Sequence, residues 1–363
     1  MRVKCPRCSN EDKNYFFDLN GKLVCRKCLA FTGEMAEEDY GVNTGDYSID
    51  YKLTQAQKEA SKFILKNIVE KRDCAINAVC GAGKTEIIYD SLKYCLNNGL
   101  KIGVAIPRKD VVVELKERIQ KDFNVSVEAI YGGHHDVVVG DIVIFTTHQS
   151  FRYINYFDVL IIDEVDAFPY NNNNVLREIT KKCSKNFVYL SATMPRYIEK
   201  DKSIKKFYLN RRYHGYDLPV PKCKERFNMD LCLKRMIKRY KNKVVLVYFP
   251  TIKMENSIAK KIKCDVLVNS KTSNRDEILS KIRTMDKGVV FTTTVLERGI
   301  TIKDVQVIVY NADHKLFNKD VLIQIAGRVG RNKLYPYGDV VFICKIKNKS
   351  IKAAIKILKK CNE

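Results

Sequence analysis

No run of apolar residues in this 363-residue chain approaches the roughly 20 needed to cross a bilayer as a helix. The opening Met1-Arg2-Val3-Lys4-Cys5-Pro6 lacks the apolar core of an export signal. These absences point to a soluble protein of the cytoplasm. Acidic side chains are scarce in the second half: residues 206–363 hold 14 Asp and Glu against 35 Lys and Arg. Residues 1–205 are nearly balanced, with 28 against 30, so the net charge of +23 belongs almost wholly to one half. A general lysine-rich bias would not be confined in this way. The asymmetry suits a polyanionic partner, nucleic acid first and an acidic membrane surface second. Disorder is excluded by a 45% hydrophobic content, and the length accommodates two or three domains.

Nine of the 13 cysteines are scattered through apolar or helical contexts and read as small packing residues of a reducing compartment. The other four are patterned. Cys5-Pro6-Arg7-Cys8 and Cys25-Arg26-Lys27-Cys28 are two C-x2-C pairs with sixteen residues between them, the spacing of one tetrahedral Zn2+ held by four thiolates. A closed set of four thiolates is structural, because no position stays open for catalysis. Between the pairs, two short apolar runs flank Asn20-Gly21, a favoured hairpin turn. The expectation is a zinc ribbon, too small to fold without its metal. Its aromatics and basic residues fit single-stranded nucleic acid and a small core equally well. Residues 30–50, with Glu34, Glu37, Glu38, Asp39, Gly41 and Gly45, read as a mobile acidic linker.

The stretch Ala78-Val79-Cys80-Gly81-Ala82-Gly83-Lys84-Thr85 lies between an apolar run, Cys74–Val79, and a segment with helical periodicity from Glu86. Strand, glycine loop and helix form the context of a phosphate-binding loop. Gly81, Ala82 and Gly83 let backbone N–H groups turn inward around phosphate oxygens at the positive end of the helix dipole. Lys84 can reach the terminal phosphates and Thr85 can ligate Mg2+. Ala78 stands where the general pattern has Gly, which leaves a chance glycine turn as the alternative for this motif taken alone.

From Tyr51 onward strand-like and helix-like segments alternate, which predicts α/β architecture with parallel sheets. Several apolar strands end in polar clusters: Pro107-Arg108, Thr146-Thr147, Asp163-Glu164-Val165-Asp166 and Ser191-Ala192-Thr193. In open α/β sheets the site lies at these carboxyl ends. A carboxylate after a buried strand can hold Mg2+ beside Thr85, and the next can orient and deprotonate water. Residues 206–225 read as a linker. Beyond them a second alternation contains Thr292-Thr293-Thr294, Glu297-Arg298-Gly299-Ile300 and a helix carrying Gln324 to Arg331, with no second phosphate loop.

Ala78–Thr85, Asp163–Asp166, Ser191–Thr193 and Gln324–Arg331, in this order, resemble motifs I, II, III and VI of superfamily 2 helicases, whose motif I itself begins with Ala. More narrowly, Asp163-Glu164-Val165-Asp166-Ala167-Phe168-Pro169 with the N-terminal four-cysteine site resembles the ComFA family of late competence ATPases. The resemblance implies two tandem RecA-like lobes: residues 51–205 binding ATP and 206–363 forming the helicase C-terminal lobe, with 1–50 as ribbon and linker. It implies that Gln57 reads adenine, that Lys84, Thr85 and Asp163 hold phosphates and Mg2+, and that Glu164 is the base. Arg331, helped by Arg328, would reach across the cleft as arginine fingers, and Ser191, Thr193 and Gln324 would couple the cleft to the strand. Pro107, Arg108, Thr147, Thr292 and Thr293 would contact nucleic acid. The implied activity is an ATP-driven single-stranded DNA translocase for uptake in natural transformation. It would be cytoplasmic or peripheral at the membrane, with other uptake proteins as partners. The alternatives are a primosome-type DNA helicase and a DEAD-box-like RNA helicase. The former carries a second four-cysteine cluster and a large N-terminal DNA domain; the latter has Asp-Glu-Ala-Asp where Val165 intervenes here. A zinc-dependent binding module regulated by nucleotide is the option from outside the motor class.

Overall fold

The apolar runs of the sequence become strands buried on both faces, as parallel sheets covered by helices require. The computed structural model describes residues 3–29, 31, 33–36, 40–134, 138–293 and 302–363, without the side chains of 275 and 276. By contacts the chain divides into two units, Met1–Ala78 with Gly83–Leu209, and Val79–Ala82 with Asn210–Glu363.

The first unit opens with an antiparallel hairpin, β1 (Phe16–Leu19) and β2 (Lys22–Cys25). Asn20 and Gly21 turn it at φ of 52° and 78°, the left-handed pair that such a turn demands. There follow α1 (Gln55–Val69), β3 (Cys74–Ala78), α2 (Tyr89–Asn97), β4 (Ile102–Ile106), α3 (Lys109–Asp122), β5 (Val127–Ile130), β6 (Ile142–Thr146), β7 (Phe157–Asp163), α4 (Asn174–Thr180), β8 (Ser184–Ser191), α5 (Arg196–Glu199) and β9 (Lys205–Leu209). Seven of these strands form one parallel sheet in the order β5-β6-β4-β7-β8-β3-β9. Helix α1 starts at a capping box, in which Thr54 accepts from Gln57 N–H and the Gln57 side chain answers Thr54 N–H. An aromatic cluster of Phe145, Tyr153, Tyr156 and Phe157 fills the core on one side of this sheet.

The second unit contains β10 (Lys222–Glu225), α6 (Met229–Arg239), β11 (Val244–Tyr248), α7 (Ile252–Ala259), β12 (Val266–Val268), α8 (Arg275–Thr284), β13 (Gly288–Thr292), β14 (Gln306–Tyr310), α9 (Lys319–Ala326), β15 (Val340–Cys344) and α10 (Lys349–Lys360). Its sheet is also parallel, in the order β10-β15-β14-β11-β13-β12. Two parallel-sheet lobes are the fold expected from the sequence. Helix α10, basic and apolar by turns, buries Ile351, Ala354 and Leu358 and leaves Lys352, Lys356, Lys359 and Lys360 outside. Its apolar face is therefore part of the core.

Three readings need correction. The stretch read as a linker from residue 206 begins inside β9, the edge strand beside β3, and its far end is β10, the edge of the second sheet. Edge strands need few apolar residues, so Lys205-Lys206-Phe207-Tyr208-Leu209 gave a weak signal. Arg328 and Arg331 lie past the end of α9, not on it. The segment expected to be a mobile linker is tied to the first unit along its described residues. Asn43 N–H donates to Asp141 at 2.8 Å, Gly45 N–H to Asn97 at 3.1 Å, and Tyr47 O–H to Asp90 at 2.7 Å. The Tyr47 ring also packs on Tyr89 and Phe123. Glu37, Glu38 and Asp39 lie outside the described residues.

Asp141, 2% exposed, is the hub of this strap. Burial alone would push its carboxyl up, but hydrogen bonds from Asn43 and from the Ser126 N–H and O–H outweigh it and hold the group below its ordinary range. A depressed folded-state pKa contributes stability that is present above the unfolded value of about 3.9 and lost as pH falls through the folded value. Asp141→Ala should cost about 2–3 kcal/mol at neutral pH, because charge-assisted hydrogen bonds are lost and their donors orphaned. Urea unfolding at pH 7 and at strongly acid pH checks this, with the difference between variant and parent shrinking in acid. Proteolysis should also cut the variant first near residues 40–48.

Candidate active site and metal centre

Strand β3 delivers the glycine loop at its carboxyl end. Gly81 and Gly83 stand at φ of 84° and 78°, a conformation L side chains rarely adopt, and a Cβ at Gly83 would lie 2.3 Å from the Gln57 amide nitrogen. Gln57, 4% exposed, is thus fixed twice, by its cap to Thr54 and by its fit against the loop. Thr85 begins a short 3-10 turn, Glu86–Ile88, that leads into α2. Lys84 Nζ meets Asp163 Oδ1 at 3.0 Å, with both side chains about one-fifth exposed (20% and 17%). The same Asp163 oxygen accepts Glu164 N–H at 2.7 Å. Glu164, 9% exposed, takes φ of 57°, a strained setting for a non-glycine residue of the kind held at sites of function.

Asp166 is joined to the end of the neighbouring strand β8. Thr193 O–H donates to Asp166 Oδ2 at 2.6 Å, Ser191 O–H to the Thr193 carbonyl at 2.7 Å, and Thr193 N–H to Ser191 Oγ at 3.1 Å. The polar clusters Asp163–Asp166 and Ser191–Thr193 are therefore in direct contact.

Sequence reasoning missed two contributors. Glu86, 7% exposed, pairs with Arg118 and accepts from Tyr51 O–H at 3.3 Å, with its other oxygen beside the place a Gly83 Cβ would take. Within the second unit Arg212, 2% exposed, donates to the carbonyls of Cys80 (3.2 Å), Gly330 (2.7 Å) and Gly327 (3.3 Å). Burial pushes its pKa down to about 10. Arg331 Nε donates to the same Gly327 carbonyl at 3.0 Å, and His214 bonds the Gly330 carbonyl at 2.9 Å. The turn carrying Arg328 and Arg331 is thus pinned from the segment after β9. Neither residue had a signal, because Glu86 and Arg212 belong to no spaced pattern.

The expected nucleic-acid contacts are mostly covered. Pro107, Thr147, Thr292 and Thr293 are buried and Arg108 is half-buried. The physical reason is that they stand at or just past the buried carboxyl ends of β4, β6 and β13. His148, next to Thr147, is the exposed side chain there. Gln324 is buried on α9, and Thr294 with Glu297–Ile300 lies outside the described residues.

The four patterned cysteines converge, all buried, with their sulfurs within 4.8 Å of one another. Cys5 and Cys28 Sγ stand 3.6 Å apart, and Cys8 and Cys25 Sγ 3.7 Å. A tetrahedron with Zn–S bonds of ~2.3 Å has edges of about 3.8 Å, so the donor set fits one zinc ion and no disulfide. Asn10 Nδ2 approaches Cys25 Sγ at 3.7 Å, a second layer of the kind that orients thiolates. The cluster packs on Phe151 and Ile179 of the first unit.

Comparison with known proteins agrees with this geometry. Residues 54–200 match the DEAD/DEAH box helicase family model, and residues 228–333 match the helicase conserved C-terminal domain. Competence protein ComFA of Bacillus subtilis (strain 168) is 34% identical over 399 aligned residues, spanning 100% of this chain and 86% of the relative. Competence protein ComFA of Streptococcus pneumoniae (strain ATCC BAA-255 / R6) is 32% identical over 392, spanning 100% and 91%. Among solved structures, S. cerevisiae Dbp5 bound to RNA and ADP BeF3 has a TM-score of 0.66 at 17% identity, covering 86% of this chain and 88% of that one. DEAD-box helicase Mss116 bound to ssRNA and UDP-BeF has a TM-score of 0.64 at 18% identity, covering 83% and 74%. These structures bear on the fold alone.

Protein purified under reducing conditions should carry one zinc per chain by elemental analysis. Cys28→Ser should lose it and uncover Phe31 and Phe151, seen as faster proteolysis within residues 1–36. A full-length parent without zinc would refute the assignment.

Proposed function

The chain belongs to the ComFA family of DEAD/DEAH-box helicases, and on that premise we propose that it is an ATP-driven motor stepping along single-stranded DNA during uptake in natural transformation. Its ATPase class follows from the family; the substrate and the roles below are the proposal. The observation that carries it is the pair of contacts Lys84–Asp163 and Thr193–Asp166. One acidic run thereby touches both the phosphate loop and the end of the strand that would report on nucleic acid.

In this reading Lys84 leaves Asp163 for the terminal phosphates when ATP enters. The backbone N–H groups of Gly81, Ala82 and Gly83 cradle the phosphates, and Gln57, held by its cap, recognises adenine. Thr85 and Asp163 offer the oxygen ligands that a hard cation prefers, and bound Mg2+ would neutralise charge on the phosphates. Glu164 takes the proton from attacking water. Arg331 and Arg328 stabilise charge on the transferring phosphoryl group, on a turn that Arg212 keeps in place. Thr193 passes the state of Asp166 to the strand contacts. The excess of basic over acidic residues in 206–363 supplies a non-specific grip on phosphates. Other DNA-uptake proteins at the membrane would be its partners; among the described residues no helix is long and apolar enough to cross a membrane.

The deciding experiment is the ATPase rate with no nucleic acid, single-stranded DNA, duplex DNA and RNA. Stimulation by single-stranded DNA above the other three supports the reading, and stimulation by RNA alone overturns it. Lys84→Ala, Glu164→Gln and Arg331→Ala should each reduce stimulated turnover by orders of magnitude; an arginine finger is worth about 10³–10⁵. Near-normal turnover of folded Arg331→Ala would remove it from the mechanism. Stepping should occur with little processive opening of a blunt duplex, since apart from the zinc module the described residues are occupied by the two sheets and their helices. Stopped-flow unwinding of long duplexes by the protein alone would contradict that.

A further inference from the structure

The zinc hairpin is seated, not dangling. Its cysteines pack on Phe151 and Ile179, and Phe31 lies between Phe151 and His148, with ring centroids 6.4 and 6.3 Å away. Arg7 donates to the Phe31 carbonyl, and Lys182 to that of Pro6. The module is thereby fixed against the 3-10 segment Thr147–Tyr153, whose first residue, Thr147, is the buried neighbour of the exposed His148.

Alternation in β1 and β2 then decides which side chains face outward. Phe16 and its cross-strand partner Cys25 share the face that packs on the metal cluster. Phe17 pairs with Val24 and Leu19 with Lys22 on the opposite face. Just before β1, Tyr15 is 41% exposed; on the outward face Leu19 is 53% exposed. Each aromatic of this surface carries a cation: Lys27 Nζ lies 4.2 Å from the Tyr15 ring centroid, and Arg26 Cζ lies 4.9 Å from that of Phe17. The acidic groups of the module are engaged locally. Asp18 accepts Gly21 N–H, Asp12 accepts Asn14 N–H, and Glu11 pairs with Lys4. What remains outward is the Tyr15 ring, the half-buried Phe17 ring and Leu19, interleaved with Lys22, Arg26 and Lys27.

Rings with only cations beside them complement a chain whose bases have π-faces and whose links are anionic. We propose that the outer face of the zinc hairpin is a second contact for single-stranded DNA. Bases stack on Tyr15 and Phe17, phosphates are held by Arg26 and Lys27, and the track at Thr147–His148 is lengthened by the module. The metal's task is then to hold this platform in register with the first lobe. This inference rests on the single-stranded DNA reading above and names an additional site for it.

The test uses full-length, zinc-loaded protein and fluorescently labelled oligo-dT of increasing length, read by anisotropy. Tyr15→Ala with Phe17→Ala should keep the zinc, the basal ATPase rate and the affinity for the shortest binding oligonucleotides. Affinity for long ones should fall by at least about five-fold per lost stack, and the length at which affinity stops rising should shorten by about two nucleotides. Tyr15→Phe should behave as the parent. Should the double alanine variant shed its zinc, Arg26→Gln with Lys27→Gln decides, since it leaves both rings. The slope of log affinity against log salt should then flatten by about 1.4. Unchanged affinity, saturating length and salt slope in a parent that binds oligo-dT overturn this inference alone. A parent that binds no oligo-dT overturns it together with the motor reading.

Discussion

Lys84 and Asp163 are 79 positions apart in the chain and 3.0 Å apart in the fold, and the site depends on that meeting. Their strands, β3 and β7, are not neighbours: β8 lies between them. The gap is therefore two strand spacings, about 10 Å, which a lysine stem can bridge and a shorter cation cannot. Both charges are largely removed from water, so each offsets the other's desolvation while no phosphate is present. The parallel arrangement makes this possible, because every strand of the sheet delivers its following loop to the same edge. An antiparallel strand at β7 would have sent the acidic run to the far end.

The same edge also carries the link from Asp166 to Thr193, at the end of β8 between the two partners of the ion pair. The ion pair and this hydrogen bond are made by residues three positions apart on one acidic run. In the second unit a comparable economy appears around Gly327 and Gly330, whose carbonyls receive Arg212, Arg331 and His214. Carbonyls at a helix end lack intrahelical partners and need others. Here they are met by two guanidinium groups and an imidazole, which orders the turn that carries the candidate fingers.

The N-terminal region departs most from what composition led one to expect. Acidic residues and glycines suggested a free tether, yet Asn43, Gly45 and Tyr47 are bonded to the first unit and the metal cluster packs on Phe151. A module of this size has too little core to be rigid alone. Borrowing a hydrophobic seat from its neighbour solves that, and it leaves the hairpin's other face to solvent. Where the ribbon's aromatics read equally as core or contact in sequence, the pleat divides them: Phe16 goes to the metal cluster and Phe17 away from it.

Local spacing determined a great deal: the four thiolates, the glycine loop, the hairpin turn at Asn20-Gly21 and the alternation of buried strands with helices. Each is written within a few residues and needs no distant partner. Membership of the ATPase class was legible too, because the motifs stand in a fixed order along the chain. Tertiary structure alone decided which side chains meet. Strand order brings Lys84 to Asp163, an edge strand hides in Lys205–Leu209 because it needs little apolar character, and burial covers Thr147 and Thr292. It also recruits Arg212 and Glu86, which have no pattern in sequence. The physical reason is that short-range stereochemistry sets an element's type, whereas exposure and partnership depend on what packs beside it from tens of positions away.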